Sequence, residues 1–151
     1  MIAMPVLEQS VLIARPASEV WDFLADPANW PSWESSMLEM EQVTDGPLRL
    51  GTRWRGATRV LGKRIDWVAE FTEFDPPKAT VSKSVESTID FTTTMRLEEV
   101  DGGTRFTYRT DTEAGLGGVF GKLADLFVTK AAERSQRASL DNLADLLATD
   151  S

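Results

Sequence analysis

The chain has 151 residues, a formal net charge of −8, and neither cysteine nor histidine. These properties exclude disulfides, thiolate or imidazole catalysis and cysteine-ligated metals, and the negative charge disfavours nucleic acid as a partner. The length is typical of one domain, which we expect to span residues 1–151. The N-terminus lacks a signal-peptide pattern and no stretch approaches the ~20 apolar residues of a membrane span, so we expect a cytoplasmic protein.

Alternation of apolar and polar residues between turn signals predicts seven β-strands. Two short helical segments follow the first strand, one over 19–25 and one within 27–33, a stretch that contains two tryptophans. Tight turns such as Asp101-Gly102-Gly103 connect the later strands, which predicts an antiparallel meander with one apolar face. The predicted strands cover residues 5–13, 37–44, 51–61, 63–74, 78–86, 89–99 and 104–113.

Residues 116–148 repeat apolar side chains at spacings of three and four, which predicts a long amphipathic helix. Such a helix must bury its apolar stripe, and the apolar face of the sheet is the expected partner. Lys130 and Arg134 lie where the first part of the stripe would continue. Either both side chains extend into solvent, or they face the mouth of a hollow covered by the helix.

Several short motifs follow one another along the chain: Ile13-x-x-Pro16, Val20-Trp21-x-Phe23-Leu24-x-Asp26-Pro27-x-x-Trp30, Trp33, Leu50-Gly51-Thr52, Phe71-x-x-Phe74-Asp75-Pro76-Pro77, Gly103-Thr104-Arg105 and Leu140-x-x-Leu143. This ordered set resembles the helix-grip superfamily often labelled SRPBCC, which includes START-like domains and the bacterial polyketide cyclase/dehydrase group. The resemblance covers nearly the whole chain. It implies an α+β helix-grip fold, in which a curved seven-stranded antiparallel sheet wraps around a long C-terminal helix, with two short helices between strands 1 and 2. It also implies an apolar cavity between sheet and helix.

Alternation along the strands and the stripe on the helix predict which side chains line that cavity. Most are large aromatics, which together suit an apolar pocket with few polar groups, although any one of them alone is better explained as core. Tyr108 is the best candidate to orient a ligand carbonyl or hydroxyl group; a satisfied core tyrosine is the alternative. The predicted ligand-binding residues are Trp33, Trp54, Thr58, Trp67, Phe71, Phe91, Thr93, Met95, Phe106, Tyr108, Phe120, Leu123 and Phe127.

The predicted cavity contains no carboxylate, so general acid–base catalysis is poorly supplied. We expect the function to be binding of a hydrophobic small molecule, such as a lipid, an isoprenoid or an aromatic polyketide. A polyketide cyclase/dehydrase-like enzyme and a protein-interaction module with a filled core are the alternatives. No cofactor, metal, nucleic acid or integral membrane segment is expected, and a homodimer is a possible assembly. The charged residues predicted on the outer face are Arg53, Arg55, Arg59, Asp66, Glu70, Asp90 and Glu98.

Overall fold

The computed structural model describes residues 6–60, 62–112 and 122–148, with the backbone alone at 60 and 122–129. Within these ranges seven strands form one antiparallel sheet: β1 (Val6–Ile13), β2 (Met37–Gln42), β3 (Arg53–Val60), β4 (Lys63–Asp75), β5 (Ala79–Ser87), β6 (Phe91–Val100) and β7 (Gly103–Thr112). Their order across the sheet is β1-β7-β6-β5-β4-β3-β2. Strands β2 to β7 therefore form a meander, and β1 adds to it beside β7.

The first helical segments connect β1 to β2, which are opposite edges of the sheet. They are α1 (Ala17–Leu24), a 3₁₀ turn (Pro27–Asn29) and α2 (Trp30–Trp33). The Asp26 carboxylate accepts a hydrogen bond from the Ala28 N–H group at 3.0 Å, which caps the 3₁₀ turn. Because the connection passes from one edge to the other, it contacts β6, β7 and β2 and closes one end of the sheet.

Bulges bend the half of the sheet that contains β2 to β5. The β2–β3 register shifts between Met37 and Glu39, and the β4–β5 register shifts between Val68 and Ala69 and between Phe71 and Glu73. An extra residue in one strand bends that strand and increases its twist. The bent sheet therefore curls and leaves a concave face.

The long helix α3 (Lys122–Ala148) packs against β1 through its C-terminal half. Leu140 and Leu143 are fully buried in the same apolar cluster as Ile13 at the end of β1. Burial of a leucine side chain is worth about 1.5–3 kcal/mol, so these contacts supply much of the docking energy.

Hydrogen bonds fix the position of α3 along β1. The Gln9 amide donates to the Glu133 carbonyl at 2.8 Å, and the Gln136 amide donates to the Tyr108 carbonyl at 3.1 Å. Near the end of the helix the Arg15 guanidinium donates to a backbone carbonyl at 2.7 Å. The carbonyl that Arg15 reaches belongs to Leu147, which is among the last four residues of α3 and so has no acceptor role within the helix.

The predicted architecture is confirmed, including the strand number, the antiparallel meander and the two short helices after β1. Boundaries differ by at most two residues: α1 begins at Ala17 rather than Glu19, and β2 ends at Gln42 rather than Thr44. The predicted start of the long helix at 116 lies outside the described residues, whereas its predicted end at 148 agrees. That residues 1–151 form one domain stays a prediction.

The docking of α3 predicts different costs for two identical substitutions on that helix. Leu143→Ala should lower the free energy of unfolding by about 2–5 kcal/mol, because a fully buried leucine leaves a cavity. Leu146→Ala, at a side chain that is 43% exposed, should lower it by less than about 1 kcal/mol. Urea denaturation measures both, and equal losses would contradict this packing.

Candidate functional site: an apolar cavity

A cavity of about 390 Å³ lies between the sheet, the connection from β1 to β2 and α3. Leu24 and Trp30 line it from the connection, and Ala131, Ala132 and Ser135 line it from the helix. The small side chains of α3 at this level leave space that leucines fill further along the helix. The volume falls within the range of small-molecule sites in proteins.

The sheet supplies most of the cavity wall, and its lining side chains alternate along the strands as the pleat requires. Ser82, Thr93 and Thr110 form a row across β5, β6 and β7 in which direct neighbours are paired. Their roles toward a ligand stay a prediction. The predicted ligand-binding residues that lie in this wall are Trp54, Thr58, Trp67, Phe71, Phe91, Thr93, Met95 and Tyr108.

A hydrogen bond fixes Trp67 in the wall, and the paired residue, a glycine, leaves room for its ring. Its indole N–H donates to the Thr58 hydroxyl at 2.9 Å. A Cβ atom at Gly56, the residue paired with Trp67, would lie 2.6 Å from the indole ring. Glycine at this position therefore allows the ring to lie flat against β3.

Two predicted lining residues, Trp33 and Phe106, do not reach the cavity surface. Both are fully buried, and their ring centroids are 6.3 Å apart in an edge-to-face arrangement. Trp33 also packs on Trp30 at 4.8 Å and on Tyr108 at 5.9 Å. Alternation placed Phe106 on the inner face correctly, but the connection covers that end of the face. The cluster therefore forms the floor of the cavity.

The helix contributes differently from the predicted stripe. Phe120 lies outside the described residues, and the side chains of Leu123 and Phe127 are not described. Lys130 and Arg134 are exposed and do not line the cavity. Of the two alternatives for these cations, the structure favours extension into solvent.

A carboxylate that the sequence did not place inside, Glu34, lines the cavity next to the aromatic floor. It is 9% exposed and follows α2 directly. Its Oε1 atom accepts hydrogen bonds from the Ser36 N–H group at 3.2 Å, the Ser36 hydroxyl at 2.9 Å and the Ser139 hydroxyl at 3.2 Å. The expectation of a cavity without a carboxylate is therefore wrong. The signal in the sequence was the neighbouring Trp33, whose burial draws the next residue inward.

Tyr108 lies at the same end of the cavity as Glu34. Burial raises the pKa of its phenol, the nearby charge of Glu34 raises that pKa further, and a hydrogen bond with the Thr110 side chain lowers it in part. The phenol is therefore neutral over the whole physiological range and can both donate and accept a hydrogen bond.

One predicted outer cation, Arg59, lines the cavity instead. At this end of β3 the neighbouring segment is the loop before β2, since the Arg59 N–H group donates to the Ser36 carbonyl at 2.8 Å. The bulge between Met37 and Glu39 shifts the register beside it. Simple alternation fails for this reason. Arg53 and Arg55 do lie outside and pair with Glu70 and Glu41.

The described part of the chain contains neither a cluster of metal-ligating side chains nor a membrane-spanning helix. No group of three or more acidic side chains there is arranged to hold a metal ion. None of the helices in those ranges is long and apolar enough to cross a bilayer.

Residues 4–148 match the family model described as polyketide cyclase / dehydrase and lipid transport. The chain belongs to this family. The match covers every element that surrounds the cavity, from β1 to the end of α3. Curated proteins offer no match to the chain.

Several solved structures share the fold of this polyketide cyclase/dehydrase family member. Protein TTHA0849 from Thermus thermophilus is 21% identical with a TM-score of 0.80, covering 97% of this chain and 100% of that one. The Zhui aromatase/cyclase from a Streptomyces species is 19% identical with a TM-score of 0.77, covering 97% and 94%. A START superfamily protein from Mycobacterium smegmatis is 11% identical with a TM-score of 0.75, covering 96% and 99%. The predicted SRPBCC/START-like helix-grip superfamily is confirmed, and at these identities the likeness shows the fold alone.

The buried position of Tyr108 predicts that its phenol ionises only at a pH above the usual range for tyrosine. Because this is the only tyrosine in the sequence, the ultraviolet absorbance of tyrosinate reports it directly. In the folded protein we expect no tyrosinate signal at about pH 11, whereas the chain unfolded in guanidinium should titrate near pH ~10. The folded state keeps the proton to higher pH, so stability is fully retained below about pH 10 and falls above it. Tyrosinate forming near pH ~10 in the folded protein would contradict the buried placement.

Proposed function

We propose that this protein binds a hydrophobic small molecule, such as a lipid, an isoprenoid or an aromatic polyketide, in the cavity between the sheet and α3. The observation that supports this most is a hollow of about 390 Å³ lined mainly by aromatic and aliphatic side chains. Among its polar lining groups, Glu34 and Tyr108 lie at the same end, and the Thr110 side chain forms a hydrogen bond with Tyr108. A largely apolar pocket with a small polar cluster is typical of sites that bind and orient apolar ligands.

Burial of apolar ligand surface would supply most of the affinity, at about 25 cal/mol per Å² of surface removed from water. The aromatic wall would contribute large contact areas from side chains that lose little conformational freedom, because Trp54, Trp67 and Phe71 are already buried and packed. The Trp54 and Phe71 ring centroids are 5.9 Å apart at a right angle. A preformed wall lowers the entropic cost of binding.

The interaction-module alternative is less well supported. It predicts a filled core and a contiguous exposed apolar patch. The space between sheet and helix is a cavity and not a filled core. The exposed large apolar side chains, such as Leu12, Val43, Val85 and Leu146, are spread over separate parts of the chain. The hollow therefore favours a small-molecule ligand.

A cyclase/dehydrase-like enzyme is a second candidate, and one observation favours it. The Glu34 carboxylate and the Tyr108 hydroxyl line the same cavity, so a base and a proton donor are available to one substrate. Positioning of a folded poly-carbonyl chain would then supply much of the rate acceleration. Turnover separates the two candidates, because an enzyme releases a product that differs from the molecule added, whereas a binding protein returns its ligand unchanged.

A cytoplasmic location and a homodimer both stay predictions. Neither is needed for the proposed site, since its described walls come from one chain.

Filling the cavity should weaken the binding of an apolar ligand without unfolding the protein. We expect the neutral dye Nile red to bind the unmodified protein, and Thr93→Phe to weaken this by at least about tenfold because the ring takes space from the ligand. Dye fluorescence in a titration measures both. Thr92→Phe is the matched control, because Thr92 alternates onto the outer face of β6. No dye binding by the unmodified protein, or equal losses in both variants, would contradict the proposed function.

A further inference from the structure

A carboxylate lies in the wall of the mainly apolar cavity. Glu34 is 9% exposed and lines the cavity beside Ser36, Trp30 and Met37. An ionised carboxylate is costly to bury unless its oxygens accept hydrogen bonds. This carboxylate therefore constrains which chemical groups a ligand can bring to that end.

The two oxygens of Glu34 are not equally satisfied. All three of its hydrogen bonds from described residues, two from Ser36 and one from Ser139, are donated to Oε1. No described residue donates to Oε2. A carboxylate oxygen only accepts hydrogen bonds when ionised, so Oε2 needs a donor from water or from a ligand.

We propose, resting on the proposed function, that the cavity selects apolar molecules whose polar end is an uncharged hydrogen-bond donor, such as an alcohol or a phenol, and rejects molecules that end in a carboxylate. A ligand hydroxyl placed at this end would donate to Glu34. The Tyr108 and Thr110 side chains beside it can complete the hydrogen bonds of the same hydroxyl, because both can donate and accept.

Rejection of carboxylates follows from the charges around the cavity. A second carboxylate beside Glu34 would create a like-charge pair in a region of low dielectric, which is strongly unfavourable. Arg59 is the one cation among the described lining residues, and its side chain is exposed. Lys130 and Arg134 are exposed and lie outside the lining. Solvent screens such charges, so they compensate poorly for a buried pair.

Competition between two matched ligands tests the proposal. Bound Nile red is displaced by 2-naphthol, which is neutral at pH ~7, or by 2-naphthoate, which has the same ring system and a negative charge. We expect 2-naphthol to displace the dye at a concentration at least about tenfold lower than 2-naphthoate. In Glu34→Gln the ratio of the two displacing concentrations should fall to less than about threefold. The change should come from tighter binding of 2-naphthoate, because the repelling charge is gone.

Controls separate this effect from general charge and desolvation effects. Glu99→Gln removes one charge at an exposed position outside the cavity and should leave the ratio unchanged. A ratio that stays the same in Glu34→Gln would mean that desolvation of the naphthoate alone causes the preference, and would overturn the proposal. Arg59→Gln should not weaken the binding of 2-naphthoate. A selective loss of 2-naphthoate binding in this variant would show that Arg59 binds the carboxylate, and would also overturn the proposal.

The outcomes distinguish this inference from the proposed function. If Nile red does not bind the unmodified protein, both fail. If the dye binds and 2-naphthoate displaces it as well as 2-naphthol or better, the proposed function stands and the inference fails. This comparison uses only the unmodified protein, so that result overturns the inference even if Glu34→Gln does not fold.

Discussion

The cavity depends on the way α3 is held against the sheet. Leu140 and Leu143 are fully buried at one end of the helix, where they close the core against β1. Nearer the middle, Ala131, Ala132 and Ser135 of α3 line the cavity with small side chains, whereas Gln136 extends to the Tyr108 carbonyl of β7. The helix is thus fixed firmly by its C-terminal half while the sheet curls away from its small residues. An empty, apolar space follows from this difference in side-chain size rather than from any single special residue.

The irregular connection between β1 and β2 gives this hollow its chemical character. Trp30 and Trp33 pack in the connection, and the Trp30 indole N–H donates to the Leu24 carbonyl at 2.8 Å. This packing forms the floor and fixes the next residue, Glu34, against the Ser139 hydroxyl of α3. Sheet and helix provide the apolar volume, and the connection provides the charge. The family match over residues 4–148 includes this connection.

The parts of the molecule with a regular period were predictable from sequence. Alternation along β4 and β6 placed Trp67, Phe71, Thr93 and Met95 on the inner face, because the pleat leaves each side chain only two directions. Where the period is interrupted, the same reasoning failed. Arg59 lies beside a β-bulge, and Glu34 follows a helix of four residues, which is too short to show a period. Phe106 was assigned to the inner face of the sheet and Trp33 to the connection, but whether a buried ring contacts a cavity or other rings depends on packing that no local pattern encodes.

The central claim is that the space between the sheet and the middle of α3 is empty of protein side chains. A crystal structure determined under xenon pressure tests it most directly, because xenon enters apolar cavities and leaves packed cores unoccupied. We expect xenon sites bordered by Phe71, Thr93 and Ala132, with little movement of these side chains. A crystal structure in which the aromatic side chains fill that space, with no xenon between sheet and helix, would contradict the account.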